Sequence, residues 1–247
     1  MTLLPKSLEK EPLVEAVFEV RLNDTPQLAD ILPGFLLHDL GPETKVQRLP
    51  SAEIPYPMRK EDTNLRFAPI QRIETSNFSI LIGDRNVIVS CNLPYPKWPN
   101  FKASILDVMA RIAKLGLPEA IERYSVKYVN IIPASNYKEQ IAKIAISTKL
   151  GDLEIRDEQF TLRVQRIEEE IIHILTISTG AGAKSNGSEV FGVLVDIDSI
   201  KNVNIPNFQI FVDNLEDGLE GLKQSNKEKF FGCLTKEAIQ EMGPTYE

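Results

Sequence analysis

The sequence predicts an α+β protein of mostly antiparallel sheets with helices packed on one face. Three observations carry this. Runs of alternating apolar and polar residues recur through both halves, which marks strands. Two longer stretches, near 100–115 and 206–222, instead place apolar residues three and four apart, which marks helices. Their order is strands, helix and strands, then a strand meander and a long helix, which suits sheets covered by helices on one side. The chain is expected to form two similar-sized lobes, an α+β lobe over 1–133 and a β-meander plus long helix over 141–247. One continuous domain over 1–247 is the alternative.

The elements follow in order. Over 13–22, Val14, Ala16, Phe18, Val20 and Leu22 point one way while Glu15, Glu19 and Arg21 point the other, giving a strand with one wet face. Thr25-Pro26 reads as a helix N-cap and first-turn proline, and Gly41-Pro42 as the stop, with Pro33-Gly34 able to split the helix in two. Residues 42–64 hold Pro50, Pro55 and Pro57 around Tyr56 and read as an extended excursion, since proline removes donors that a central strand needs.

Strands are expected at 65–73, 76–83 and 86–92, with Gly83-Asp84-Arg85-Asn86 as a tight hairpin. In the next helix Phe101, Ile105, Val108, Met109 and Ile112 form one apolar stripe, closed by Gly116. Over 123–132 both faces are apolar enough for a central strand. The second half reads as strands near 143–149, 160–165, 171–178 and 190–197. A solvated turn falls at Glu168-Glu169-Glu170, and a loop covers 180–188. Pro206 opens the last long helix, whose stripe runs through Phe208, Phe211, Val212, Leu215, Leu219 and Leu222. Thr235 then caps a short terminal helix.

Composition narrows the function. Lysine and arginine number 28 against 35 acidic residues, a net charge of -7. That argues against nucleic acid as the main partner, because a phosphate backbone calls for a basic surface. A local basic patch from Arg66, Arg72 and Arg85, or from Arg123 and Lys127, is more simply a set of solvated strand residues. Two cysteines, Cys91 and Cys233, make no disulfide framework, and each reads as a buried thiol among apolar neighbours. No signal-peptide pattern opens the chain, and no apolar run approaches the roughly 18 residues of a membrane span. A cytoplasmic protein without membrane attachment is the simplest expectation.

The motifs that suggest chemistry each fail a test. Residues Ser178 to Ser185 resemble a phosphate loop, but Ala183 precedes Lys184, Ser178 stands where the first glycine belongs, and a strand follows instead of a helix. Asp196 and Asp198 lie two apart on a strand, so their carboxylates share a face and could hold a cation or a proton. No third ligand accompanies them. His173 alternates with isoleucines and reads as a partly buried histidine with a hydrogen-bond partner; His38 sits at a helix end, favourable for a cation. Tyr56, Tyr95 and Trp98 lie in proline-rich connections, where aromatics clasp the core or anchor a partner. No catalytic, cofactor-binding or metal-ligating set is assigned. The candidate partner or ligand surface is Tyr56, Tyr95, Trp98, Asp196 and Asp198.

Three segments carry a resemblance: Pro12 to Leu22 (PLVEAVFEVRL), Arg123 to Ile132 (RYSVKYVNII) and Lys229 to Glu237 (KFFGCLTKE). They resemble a sporadically distributed bacterial family of uncharacterised proteins about this long. The resemblance spans nearly the whole chain and supplies no activity and no site to carry over. The distribution it implies is common among defence and toxin–antitoxin genes. The function expected is therefore a non-enzymatic cytosolic protein-interaction module, with a protein partner, no cofactor and an open oligomeric state. The alternative is a small-molecule binding protein or a carboxylate-dependent enzyme with a pocket between sheet and helices.

Overall fold

The structure is a computed structural model that describes residues 4–23, 27–41, 43–116, 120–147, 149–185 and 188–246. In chain order the elements are β1 (Ser7–Leu8), β2 (Leu13–Asn23), α1 (Leu28–Leu40), β3 (Lys45–Arg48), a 3-10 turn (Pro50–Glu53), α2 (Tyr56–Glu61), β4 (Pro69–Glu74), β5 (Phe78–Gly83), β6 (Asn86–Cys91), α3 (Trp98–Ala113) and β7 (Ala120–Pro133). There follow α4 (Tyr137–Ala142), β8 (Lys149–Leu150), β9 (Leu153–Glu154), β10 (Thr161–Glu168), β11 (Ile171–Ser185), β12 (Ser188–Ile205), α5 (Phe208–Gly232), α6 (Lys236–Glu241) and β13 (Pro244–Thr245).

Nine strands form one antiparallel sheet in the order β10-β11-β12-β7-β2-β6-β5-β4-β3, and helices pack against it, so the protein is α+β. The connectivity occurs twice. A long strand, a helix, a three-strand meander and a long helix recur in that order from β2 to α3 and from β7 to α5. In the first, β3, the 3-10 turn and α2 precede the meander; in the second, β8 and β9 precede it. In both, the meander folds back so that its last strand lies beside the long strand (β2-β6-β5-β4 and β7-β12-β11-β10).

By contact density the chain divides into two compact units: residues 1–16, 127–199 and 223–247, and residues 17–126 and 200–222. In the second, alternation on β2 buries Phe18, Val20 and Leu22, and α3 buries the stripe Phe101, Ile105, Val108, Met109 and Ile112. About 25 cal/mol per Å² of apolar area removed from water makes these contacts the main stabilising term. The first unit has its own core, in which Val193, Val195 and Ile197 of β12 meet Phe230, Phe231, Leu234 and Met242.

Several local expectations are corrected. Pro33 does not split α1. A mid-helix proline leaves the carbonyl four residues back without a donor, and here Gln71 Nε2 donates to Ala29 O at 2.7 Å in its place. Residues 42–64 are not simply extended, for they contain β3, the 3-10 turn and α2. Pro57 fits inside α2 because it lies in the first turn, where no backbone N–H is needed. Among the described residues of the strand expected at 143–149, only Lys149 at the start of β8 is strand, and Ile144 makes a single bridge to Leu234. The loop expected over 180–188 is mostly strand, because β11 continues to Ser185 and β12 starts at Ser188. The proposed helix opening at Thr25-Pro26 lies outside the described residues, as does Pro42. The terminal helix begins as expected, with Thr235 Oγ1 accepting from Ala238 N at 3.3 Å.

Candidate functional site

The sheet has two edges, and they differ. β3 is four residues long and carries Lys45 and Arg48, a short charged edge of the kind that discourages pairing. β10 is eight residues long and exposed almost throughout. Val164 is 42% and Ile167 65% exposed on it.

Register decides which backbone groups β10 presents. Thr179 N donates to Phe160 O at 3.1 Å, and Thr161 pairs with Ser178, Leu162 with Ile177 and so on to Glu168 with Ile171. Hydrogen-bonded and non-bonded pairs alternate along an antiparallel ladder. The even residues of β10 therefore bond β11, while Thr161, Arg163, Gln165 and Ile167 turn their N–H and C=O groups outward. Their side chains share one face, with Ile167 opposite Ile172 and Gln165 opposite Ile174, both half-buried.

Asp196 and Asp198 lie on β12 in the same compact unit, two apart as expected. Asp196 Oδ2 pairs with Lys127 Nζ at 3.2 Å. Burial raises the Asp196 carboxyl above its usual range, against the pull of Lys127 and Arg163. It is a half-buried ion pair rather than a metal site. Among the described residues, no group of three or more His, Cys, Asp or Glu side chains could hold a metal ion.

The aromatic candidates separate. Tyr95 and Trp98 both stand edge-on to Phe101 of α3, with ring centroids 6.2 and 6.4 Å apart. The indole N–H of Trp98 donates to the Glu220 carboxylate of α5 at 3.0 Å. Tyr56 belongs elsewhere, its ring 5.9 Å from the Arg59 guanidinium at the start of α2. Tyr95 and Trp98 therefore pack on α3, Tyr56 on its own helix, and none of the three shares a unit with Asp196 or Asp198.

His173 is fully buried and has two serine partners: Nδ1 lies 2.9 Å from Ser199 Oγ and Nε2 2.9 Å from Ser225 Oγ. Asn226 Nδ2 also donates to Ser199 Oγ at 2.9 Å. Both ring nitrogens and the Asn226 amide are thus tied to the two serine hydroxyls within the same compact unit. His173 and Ser199 are both fully buried, so this is a buried polar network.

Burial lowers the His173 pKa, with Lys229 adding to the effect. Below about pH 6.5 the unfolded chain takes up a proton that the native ring resists, so His173 removes stability as pH falls through that window. The urea midpoint is expected to drop between pH 7.5 and 5.5, and His173→Gln to flatten that drop. An unchanged pH dependence in the variant would count against the buried neutral ring.

Both thiols are similarly quiet. Burial pushes Cys91 up to about 11 and raises Cys233 as well, so neither is a thiolate near neutrality. A cleft of about 450 Å³ lies in the first unit, lined by Leu13, Val14, Ile131, Val190 and Met242, with Lys10, Glu11 and Glu241 supplying its charges. No described helix is long and apolar enough to cross a membrane. No protein-family model and no curated protein matches the chain.

Proposed function

We propose that this protein is a non-enzymatic interaction module that takes up an extended segment of a protein partner as a tenth strand along β10. The observation that carries this is the uncovered eight-residue edge, with outward backbone groups at four positions and exposed Val164 and Ile167. Strand addition draws affinity from main-chain hydrogen bonds and specificity from alternate side chains. Arg163 and Arg166 outnumber Glu168, which pairs with Arg166, so the strand carries a single positive excess and suits a segment that alternates apolar and acidic residues. A second copy is a poorer occupant. Pairing β10 with β10 gathers four arginines, and pairing it with β3 sets Arg163 and Arg166 against Lys45 and Arg48. A defence or toxin–antitoxin setting for the partner rests on the sequence resemblance alone.

Gln165→Pro tests the reading, since it removes one outward N–H and spares the β10–β11 ladder. Capture from the native host is expected to yield a stoichiometric partner with the wild type. The variant is expected to bind it roughly tenfold or more weakly. Partner binding should also slow amide exchange at Thr161, Arg163, Gln165 and Ile167. A partner that leaves those four amides in fast exchange would sink the proposal.

The second reading, a small-molecule binding protein, is favoured by the cleft beside Leu13 and Met242. It predicts a bound small mass in the native preparation and a thermal shift that Met242→Trp removes by filling the cleft.

A further inference from the structure

The cleft beside Leu13 and Met242 lies wholly within the first compact unit. Leu13 and Val14 of β2, Ile131 of β7, Val190 of β12, Ala238 of α6 and Met242 just past it supply its apolar lining. These parts are tied to one another before any ligand arrives. Ile131 N donates to Pro12 O at 2.8 Å, and Lys10 N donates to Met242 O at 3.0 Å. Lys143, just past α4, pairs with Glu241 of α6. Apart from Lys10, Glu11 and Glu241, every lining residue is apolar. About 450 Å³ of mostly apolar space with a few polar groups is the usual build of a small-molecule site.

Shape and charge narrow the ligand. Pro133 and Val190 also line a second, more open hollow, which continues the apolar surface to Phe191, 46% exposed. A surface that continues past the cleft suits an extended chain better than a compact ring system. Of the three charges in the cleft, Glu241 is neutralised by Lys143, and Glu11 has an interaction of its own. Lys10 has no ion pair or side-chain hydrogen bond among the described residues. Its ammonium is exposed and costs nothing in water, so it does not demand a ligand. It sets the sign that the cleft favours once an apolar chain displaces the water beside it. The second hollow carries Glu139 and Glu189, so an anionic head belongs at the Lys10 end and the tail at the other.

We propose that the cleft binds a medium-chain monocarboxylate, its carboxylate on the Lys10 ammonium and its tail laid over Leu13, Ile131 and Val190 toward Phe191. This names the ligand class for the small-molecule reading above and rests on that reading.

The test titrates the full chain with octanoate, octanol and octylammonium, three probes of one length and different charge, reading amide chemical shifts. Octanoate is expected to saturate and to bind about fivefold more tightly than octanol, with octylammonium weakest. From hexanoate to decanoate the affinity should rise about threefold per methylene. Lys10→Gln should bring octanoate down to the level of octanol and leave octanol unchanged. Lys45→Gln on β3 removes the same charge elsewhere and should change neither. Val190→Trp, which fills the passage between the two hollows, should weaken all the probes. If that variant does not fold, the shifts at Leu13, Ile131 and Ala238 locate the ligand instead. Octanol or octylammonium binding as tightly as octanoate, or Lys10→Gln without effect, would overturn the carboxylate assignment and leave the small-molecule reading standing. No saturable response to any probe would also overturn the assignment. The reading itself fails only if the native preparation carries no bound small mass either.

Discussion

Replacing Asp84 by alanine is expected to cost about 3–5 kcal/mol, one of the largest single losses available in this protein. Asp84, in the turn between β5 and β6, is 4% exposed, and Arg59 of α2 is 7% exposed. The pair is bidentate, with Arg59 Nε to Asp84 Oδ2 at 2.8 Å and Nη2 to Oδ1 at 3.0 Å, while Nη1 donates to Ile54 O. The Asp84 hydrogen bond, helped by its charge, holds the guanidinium above its ordinary value, so Arg59 stays charged. Alanine at 84 leaves that charge buried beside one carbonyl. The penalty belongs to the orphaned cation rather than to the lost bond, which gives a second expectation: Arg59→Met combined with Asp84→Ala should recover part of the loss. Urea unfolding of both variants checks this. A cost near 1 kcal/mol for Asp84→Ala, the level of an exposed pair, would mean that water reaches Arg59.

Neither this pair nor the cleft could be found by reading along the chain. Arg59 and Asp84 are separated by two strands, and Lys10, Ile131, Val190 and Met242 converge only through strand pairing and the placing of α6. Strand order and register follow from which faces are buried together, and one chain's residues do not state that. The exposed edge was hidden for the same reason. β10 alternates like any half-buried strand, and only its place at the end of the sheet makes it open.

Local elements were legible where one periodicity dominates. The alternation of β2 and the five-residue stripe of α3 both emerge as read. Where the pattern was short, neighbouring chemistry misled. Residues 134–140 look polar enough for a boundary, yet Asn136 caps α4. Its Oδ1 accepts from Glu139 N at 3.0 Å, and Glu139 reaches back to Ser135 N at 2.9 Å. That is the asparagine-x-x-glutamate capping signal, visible in the sequence and outweighed there by the lack of an apolar stripe. The glycines over 180–183 suggested a loop, but Gly180, at φ 75°, keeps its place in β11 where Tyr137 lies 3.1 Å from the position of a Cβ. The twofold repetition of connectivity leaves no trace in residue identities, because the same topology needs only the same order of periodicities.

Gly192→Ala is the second large effect, and its cause is steric. Gly192 lies in β12 among the core residues of the first unit. A Cβ there would stand 2.0 Å from Ile132 O, 2.7 Å from Ile132 C and 3.0 Å from Pro133 Cα. All three are backbone atoms of β7, so no rotamer change relieves the contact; the strands must separate. Phe191 O, one residue away, accepts from Ala134 N at 3.3 Å and would move with them. The expected loss is about 3 kcal/mol, at the upper end of overpacking costs. Gly221 supplies the contrast. It lies inside α5 with nothing within 4 Å of a Cβ, so Gly221→Ala should gain about 0.5–1 kcal/mol through helix propensity and a less flexible unfolded chain. The same substitution thus changes sign between two glycines of ordinary φ, and paired urea midpoints read the difference directly. If the Gly192→Ala midpoint matched the wild type, β7 and β12 would have to lie farther apart than their backbones do here. The core of Val193, Val195 and Ile132 that depends on that approach would then be packed differently.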